Sequence, residues 1–148
     1  MKEVVFNRKA RFLYNLKEKF EAGLALQGSE VKSLRSGRCH LKDAYISFRG
    51  REAFLQKAHI SPYGPASVHN HEPERLRKLL LNRKEIERIQ GLVQQKNMTC
   101  IPLRIYFKKG KAKMEIALAI GKTQKDKRED LKKRADTRQI HRALKRKR

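Results

Sequence analysis

Through the stretch Met98–Ile120 apolar residues recur at every second position, and at Gly121 the pattern stops. Ile101, Leu103, Ile105 and Phe107 form one alternating set, Lys108-Lys109-Gly110 supplies a turn, and Met114, Ile116, Leu118 and Ile120 return. A period of two puts each set on one face of a strand, so the stretch predicts an antiparallel hairpin with both sets on a buried face. Pro102 fits only near a strand start or at an edge, because it has no N–H to donate. Beyond the hairpin, Gly121–Arg148 holds thirteen Lys or Arg against four acids, a net +9 in 28 residues, with Leu131, Ile140 and Leu144 as its large aliphatics. That is too little apolar surface to offset the entropy of ordering. The chain therefore predicts a folded domain over residues 1–120 and a basic tail over 121–148, disordered when free. The tail lacks proline, and Leu131, Ala135, Ile140, Ala143 and Leu144 trace an imperfect stripe, so it can become helical where its charge is neutralised.

The remaining pattern is short strands with helices between. Phe12, Leu13, Leu16 and Phe20 fall at helical spacing within Asn7–Glu21, with Asn7 as a candidate N-cap. Gly23 ends that helix and Leu24–Leu26 opens a strand. Gly28–Gly37 predicts a short helix capped by Ser29, with Val31 and Leu34 inward and Lys32, Arg35 and Arg38 outward. Ala44, Ile46 and Phe48 alternate before a turn at Gly50, and Ala53-Phe54-Leu55 returns, giving a first hairpin. Three prolines and Gly64 mark Ser61–Pro73 as a loop. A second full helix starts at Asn82, with Glu85 at capping-box spacing and Leu81 and Ile86 in the staple positions. Short strands with peripheral helices predict a mainly β fold, a small OB-like closed barrel, since closure removes sheet edges.

Net charge is +23, of which about +14 lies outside the tail, so the body as well as the tail suits a polyanion. No apolar run approaches the roughly 20 residues needed to span a bilayer, and no signal-like segment opens the sequence. Cys39 and Cys100 stand alone, without metal or redox spacing, as expected of reduced thiols in a cytoplasmic protein. Zinc-finger spacing, zipper heptads and a recognition-helix pair are all missing, which favours RNA over DNA. Aromatics beside cations (Phe12, Tyr14, Tyr45, Tyr63, Tyr106) suit stacking on unpaired bases and equally suit a core. The segment His69-Asn-His71-Glu72 is the one place where metal-dependent nuclease chemistry could sit, but two His at i, i+2 on a loop are more often solvated. No phosphate-binding loop, nucleophile elbow or paired acidic motif occurs, so neither an enzyme nor a cofactor is expected.

In order along the chain stand Asn7-Arg-Lys-Ala-Arg, Phe20-Glu-Ala-Gly-Leu, Gly28-Ser-Glu-Val-Lys-Ser-Leu-Arg-Ser-Gly, Leu41-Lys-Asp-Ala-Tyr, Ala58-His-Ile-Ser-Pro-Tyr, Arg77-Lys-Leu-Leu-Leu, Leu103-Arg-Ile-Tyr-Phe-Lys, Lys113-Met-Glu-Ile-Ala-Leu-Ala-Ile-Gly-Lys and Asp126-Lys-Arg-Glu. This ordered set, from Asn7 to about Leu144, resembles the SsrA-binding (small protein B, SmpB) family of bacterial trans-translation. The resemblance implies an OB-like barrel that binds the tRNA-like domain of transfer-messenger RNA (tmRNA) and escorts it to stalled ribosomes. The tail would stand in for the anticodon arm, entering the decoding centre and the empty mRNA channel as a helix. Elongation factor Tu would be an indirect partner through the alanylated RNA. Family RNA-binding positions fall on Asn7, Glu21 and Leu80, the last within Leu79-Leu80-Leu81, where the pattern leaves open which leucine is exposed. Lys9, Arg11, Lys32 and Arg35 are candidate phosphate contacts. Asp126, Lys127 and Arg128 match the tail motif needed on the ribosome. Lys125 departs from the family, standing where relatives commonly carry His or Tyr, and a lysine suits a phosphate rather than a stacked base. A ribosomal or ribosome-assembly protein is the alternative, since those also join small basic domains to basic tails.

Overall fold

The computed structural model describes residues 2–64 and 70–146. Strands β1 (Lys2–Phe6), β2 (Tyr14–Leu24), β4 (Tyr45–Arg49), β5 (Glu52–Gln56), β7 (Arg77–Leu80), β8 (Thr99–Lys108) and β9 (Lys111–Gly121) build one antiparallel sheet. Their order is β1-β8-β9-β2-β7-β5-β4. A two-strand ribbon, β3 (Cys39–His40) with β6 (His59–Ile60), stands apart from it. Helices α1 (Ala10–Leu13), α2 (Gly28–Arg35), α3 (Arg83–Lys96) and α4 (Gln124–Arg146) complete the chain. The sheet curls until β4 lies against β8, yet its edge strands share no backbone ladder. The barrel is thus open, a correction to the closed barrel expected. β3 lies against the edge strand β1, and α2 against β6.

The second hairpin forms as predicted, with Lys108 paired to Lys111 across Lys109 and Gly110. Both turn residues have positive φ (52° and 76°), the twist a two-residue hairpin needs. Its faces differ from the simple alternation. A bulge between Pro102 and Arg104 inserts a residue and reverses the parity of β8. Ile105 and Phe107 therefore join Met114, Ile116 and Leu118 in the main core. Ile101 and Leu103 instead turn to the opposite face, where they pack with Ala10, Ala117 and Ala119 in a second, smaller cluster.

A matching bulge between Leu16 and Glu18 explains the largest departure from expectation. The helix predicted over Asn7–Glu21 exists only as α1, and Tyr14 onwards is strand. Before the bulge Tyr14 and Leu16 cover the second cluster, and after it Phe20, Ala22 and Leu24 enter the main core. The bulge turns Leu16 and Phe20 to opposite faces although they stand four apart, a spacing that a helix and one face of a strand share, so the pattern alone does not decide between the two. Pairing with β9 along nearly the whole of β2 then overrides local propensity. Helix α3 starts as expected, with the reciprocal capping box of Asn82 and Glu85. Helix α2 is capped by Gln27 and Glu30 rather than by Ser29, which is buried.

The most costly group to bury is the Arg77 guanidinium. Both it and the Glu30 carboxylate are fully inaccessible. Arg77 Nε donates to Glu30 Oε2, and its terminal nitrogens donate to the carbonyls of Ala58 (2.8 Å) and Pro73 (2.9 Å). Glu30 also accepts from Arg75 (2.6 Å) and from the Gln27 amide (2.8 Å). This network ties α2 to β7 and to the segment before it. Burial opposes ionisation of Glu30, but the donors from Arg75, Gln27 and Arg77 outweigh it and hold the carboxyl below its ordinary 4.5. Replacing Arg77 with Met removes the buried one of the two guanidinium partners of Glu30, leaves Arg75 as the other, and should cost about 3 kcal/mol in chemical denaturation, the lower end for breaking a buried pair. Because the Glu30 value is depressed, its contribution is fully present above pH 4.5 and lost as pH falls through the lower folded value. Glu30→Gln should accordingly flatten the acid limb of the stability curve.

Candidate nucleic-acid interface

Strands β2 and β7 meet with Gly23 opposite Leu80 and Leu24 opposite Leu79. Cross-strand partners share a face, so Leu24 and Leu79 point into the core while Leu80 points out. Leu79 is 1% exposed, Leu80 is 55% exposed, and Leu81 is half-buried against the core. The leucine left unassigned by sequence is therefore Leu80. Two residues before Gly23, Glu21 lies on the same outward face, half-exposed, opposite Glu115 of β9. Its carboxylate accepts the Tyr106 hydroxyl at 2.5 Å and has the Lys108 ammonium at 3.6 Å. The Tyr106 hydrogen bond, aided by the charges of Lys108 and Lys113, holds Glu21 below its ordinary value. Burial and the Glu21 carboxylate push the Tyr106 phenol up, so it stays a donor. The Arg104 guanidinium lies over the Tyr106 ring at 5.0 Å and pairs with Glu115 at 3.1 Å.

Asn7 sits at a second place, the corner between β1 and α1. Its side-chain Nδ2 donates to the Pro102 carbonyl (2.9 Å) and its backbone N–H to the Leu103 carbonyl (2.7 Å), both at the β8 bulge. The expected cap is not formed, because the N-cap position belongs to Lys9. Lys9 and Arg11 are exposed on this corner. Lys32 and Arg35 form a third place on α2, with Lys32 over the Tyr63 ring (5.6 Å) and Arg35 over the Phe107 ring (4.5 Å). Glu21 and Leu80 are thus brought together, whereas the basic candidates divide between two helices.

Helix α4 leaves from the corner beside α1. The Lys122 N–H donates to the Leu13 carbonyl (2.8 Å), its ammonium pairs with Asp130, and Arg134 lies over the Phe12 ring at 5.7 Å. The Lys122 hydrogen bond holds the Asp130 carboxyl below its ordinary value. Within the first turns Lys127 is half-buried, and Lys125 and Arg128 are exposed. The side chain of Asp126 lies outside the described residues, as do those of Ala143 and Leu144. Leu131, Ala135 and Ile140 are exposed, so these three members of the apolar stripe have no cover from the barrel.

The histidine segment differs from its expectation. His69 lies outside the described residues, but His71 is buried rather than solvated. One of its ring nitrogens meets Ser29 Oγ at 2.8 Å and the other the Ile60 carbonyl at 2.8 Å. Both nitrogens are thereby engaged in holding the 71–73 segment to α2 and β6. No group of three or more metal-ligating side chains occurs among the described residues. Cys39 and Cys100 are free thiols, raised by burial to about 11 and about 12. No helix among the described residues is long and apolar enough to cross a membrane. Sequence reasoning missed the buried role of Arg77 and the grip of Tyr106 on Glu21. Both depend on partners 47 and 85 residues away, and a lone acid inside a basic segment was their one signal.

Comparison with known proteins supplies the family. A family model described as SmpB protein matches residues 4–146. The SsrA-binding protein of Syntrophobacter fumaroxidans is 54% identical over 142 residues, covering 96% of this chain and 88% of its own. That of Bdellovibrio bacteriovorus is also 54% identical, covering 96% and 93%. A solved chain from "tmRNA-SmpB: a journey to the center of the bacterial ribosome" superposes with a TM-score of 0.69 at 42% identity, covering 85% of this chain and 92% of that one. With a match this long at this identity, over the fold just described, the chain belongs to the SmpB family of SsrA-binding proteins.

Proposed function

We infer that this protein binds the tRNA-like domain of tmRNA and delivers it to stalled ribosomes for trans-translation. The observation that carries the reading is identity of about half the residues, over nearly the whole chain, with proteins named for binding SsrA RNA. The solved neighbour, an SmpB associated with tmRNA and the bacterial ribosome, supports the same partners. It is a binding activity of a cytoplasmic adaptor rather than a catalysed reaction. The RNA carries the chemistry and the protein supplies shape and charge.

The barrel, residues 1–120, selects the RNA. Leu80 offers an exposed apolar side chain to a base or sugar, and the ionised Glu21 beside it accepts from base or ribose donors. Asn7 acts through the corner that it fastens to the β8 bulge, presenting Lys9 and Arg11 to phosphates. Lys32 and Arg35 extend the phosphate contacts on α2. The tail, residues 121–148, engages the ribosome through Asp126, Lys127 and Arg128 and enters the decoding centre and mRNA channel as a helix, the form α4 already takes over Gln124–Arg146. Lys125 contacts phosphate there instead of stacking.

Two separable failures follow from this division. Glu21→Ala should weaken binding of a transcribed tRNA-like domain about tenfold in a filter or polarisation assay, as loss of a hydrogen bond to a charged group does, and Asn7→Ala should weaken it by a smaller factor of about five, through loss of the neutral bond that fastens the corner. Truncation after Gly121 should leave that affinity within about threefold while abolishing tagging in a reconstituted translation system; loss of RNA binding on truncation would contradict the division. In a salt titration, log affinity should fall with log salt by roughly 0.7–0.9 per phosphate contacted. Lys32→Ala and Arg35→Ala should each lower that slope by about one contact.

A further inference from the structure

We propose that Tyr106 and Gly23 are positioning residues for RNA recognition, the first aiming the Glu21 carboxylate and the second seating Leu80 beside it. The proposal rests on the reading above that Glu21 and Leu80 face the RNA.

In the register of the sheet, Leu80 of β7, Gly23 of β2, Lys113 of β9 and Tyr106 of β8 lie in one row on the outward face. Glu21 belongs to the adjacent row. Tyr106 crosses β9 to reach it, its hydroxyl donating to Glu21 Oε2 at 2.5 Å. The ring is only 2% exposed although it stands on the outer face, and the Arg104 guanidinium lies over it at 5.0 Å. A ring held this way leaves its hydroxyl little choice of direction, so the carboxylate it holds is fixed as well. One oxygen of Glu21 is engaged with Tyr106 and Lys108, and Oε1 is left to accept from an RNA donor.

At the other end of the row, the missing side chain of Gly23 is filled by Leu80. A Cβ placed on Gly23 would come within 3.1 Å of Leu80 Cβ and 3.3 Å of Leu80 Cδ1. Such contacts are tighter than side chains ordinarily accept, so even an alanine there must push Leu80 aside. The nearest contact is with Leu80 Cβ, which no rotamer change moves, so relief takes a small shift of β7 against β2 that carries the exposed Leu80 with it. Gly23 has no positive φ to require a glycine, so the close approach of Leu80 is what the position answers to. Hydroxyl and bare backbone together place one acceptor and one apolar side chain side by side, the pair a splayed nucleotide would meet.

The test is a pair of double-mutant cycles on the full chain, with a transcribed tRNA-like domain as probe and circular dichroism to follow folding. Tyr106→Phe keeps the buried ring and should weaken binding about five- to tenfold. The loss should vanish in a Glu21→Ala background, which removes the acceptor, because the hydroxyl acts only through the carboxylate. Gly23→Ala should weaken binding by a similar factor in the native background and by nothing in Leu80→Ala. Unchanged affinity in Tyr106→Phe, or an equal loss with and without Glu21, overturns the proposal, whatever Gly23→Ala does to folding. If the unaltered protein fails to prefer this RNA over an unrelated duplex of equal length, the functional reading falls instead.

Discussion

Everything in this fold depends on strand β9 being paired on both sides over almost its full length, with β8 along one edge and β2 along the other. That three-strand unit contributes Phe20, Ala22, Ile105, Met114, Ile116 and Leu118 to the main core. It also carries a bulge in each flanking strand, near Leu16 opposite Leu118–Ala119 and near Pro102 opposite Glu115–Ile116, staggered by three residues along β9. Below the bulges the inward face builds the barrel. Above them the reversed side chains build a second cluster on the opposite face, and α1 sits on that cluster through Ala10. Helix α4 leaves from beside α1. One sheet thus holds a core on one side and a footing for the tail on the other, without a second domain.

The same geometry separates the two kinds of surface the function asks for. Near the hairpin end of β8 and β9, the outward face is lined by Glu21, Leu80 and Tyr106, with Arg104 and Lys113 around them. Asn7 is fastened to the β8 bulge one residue from Arg104, and the tail begins farther along, past the far end of β9 and beside α1. The buried Glu30–Arg77 pair contributes to neither surface directly. It anchors β7 to α2, and so holds Leu80 and the α2 cations in one rigid frame. A buried pair of this kind is expensive to desolvate, and the five further hydrogen bonds around it are what make it tolerable.

What was legible in the sequence was whatever depends on neighbours along the chain. The Lys109-Gly110 turn, the Asn82–Glu85 capping box and the two hairpins are local, and each stands where the pattern placed it. Strand β2 was not legible, because its apolar residues divide between two faces at a four-residue spacing that a helix shares, and only pairing with β9 reveals the strand. The faces of β8 were misread for the same reason, since Ile101 and Leu103 obey the alternation up to the bulge and then part from Ile105 and Phe107. Closure of the barrel is a property of edges far apart in sequence, and the pattern could not show that β1 and β4 stay unjoined. At the candidate interface, residue types were readable but direction was not. Which of three leucines faces out follows from the register of β2 with β7, and the hydroxyl on Glu21 comes from 85 residues away.

The central claim is that the outward barrel face chooses tmRNA while the tail meets the ribosome. Its most direct measurement is crosslinking of the full chain in bacterial cells, with photoreactive groups placed at Leu80 and, separately, at Lys127, followed by sequencing of the attached RNA. The account predicts that position 80 captures the tRNA-like domain of a single RNA species, and that position 127 captures ribosomal RNA of the small subunit. Capture of dispersed ribosomal sequences from position 80, with no enrichment of that one RNA, would contradict it and indicate a resident ribosomal protein.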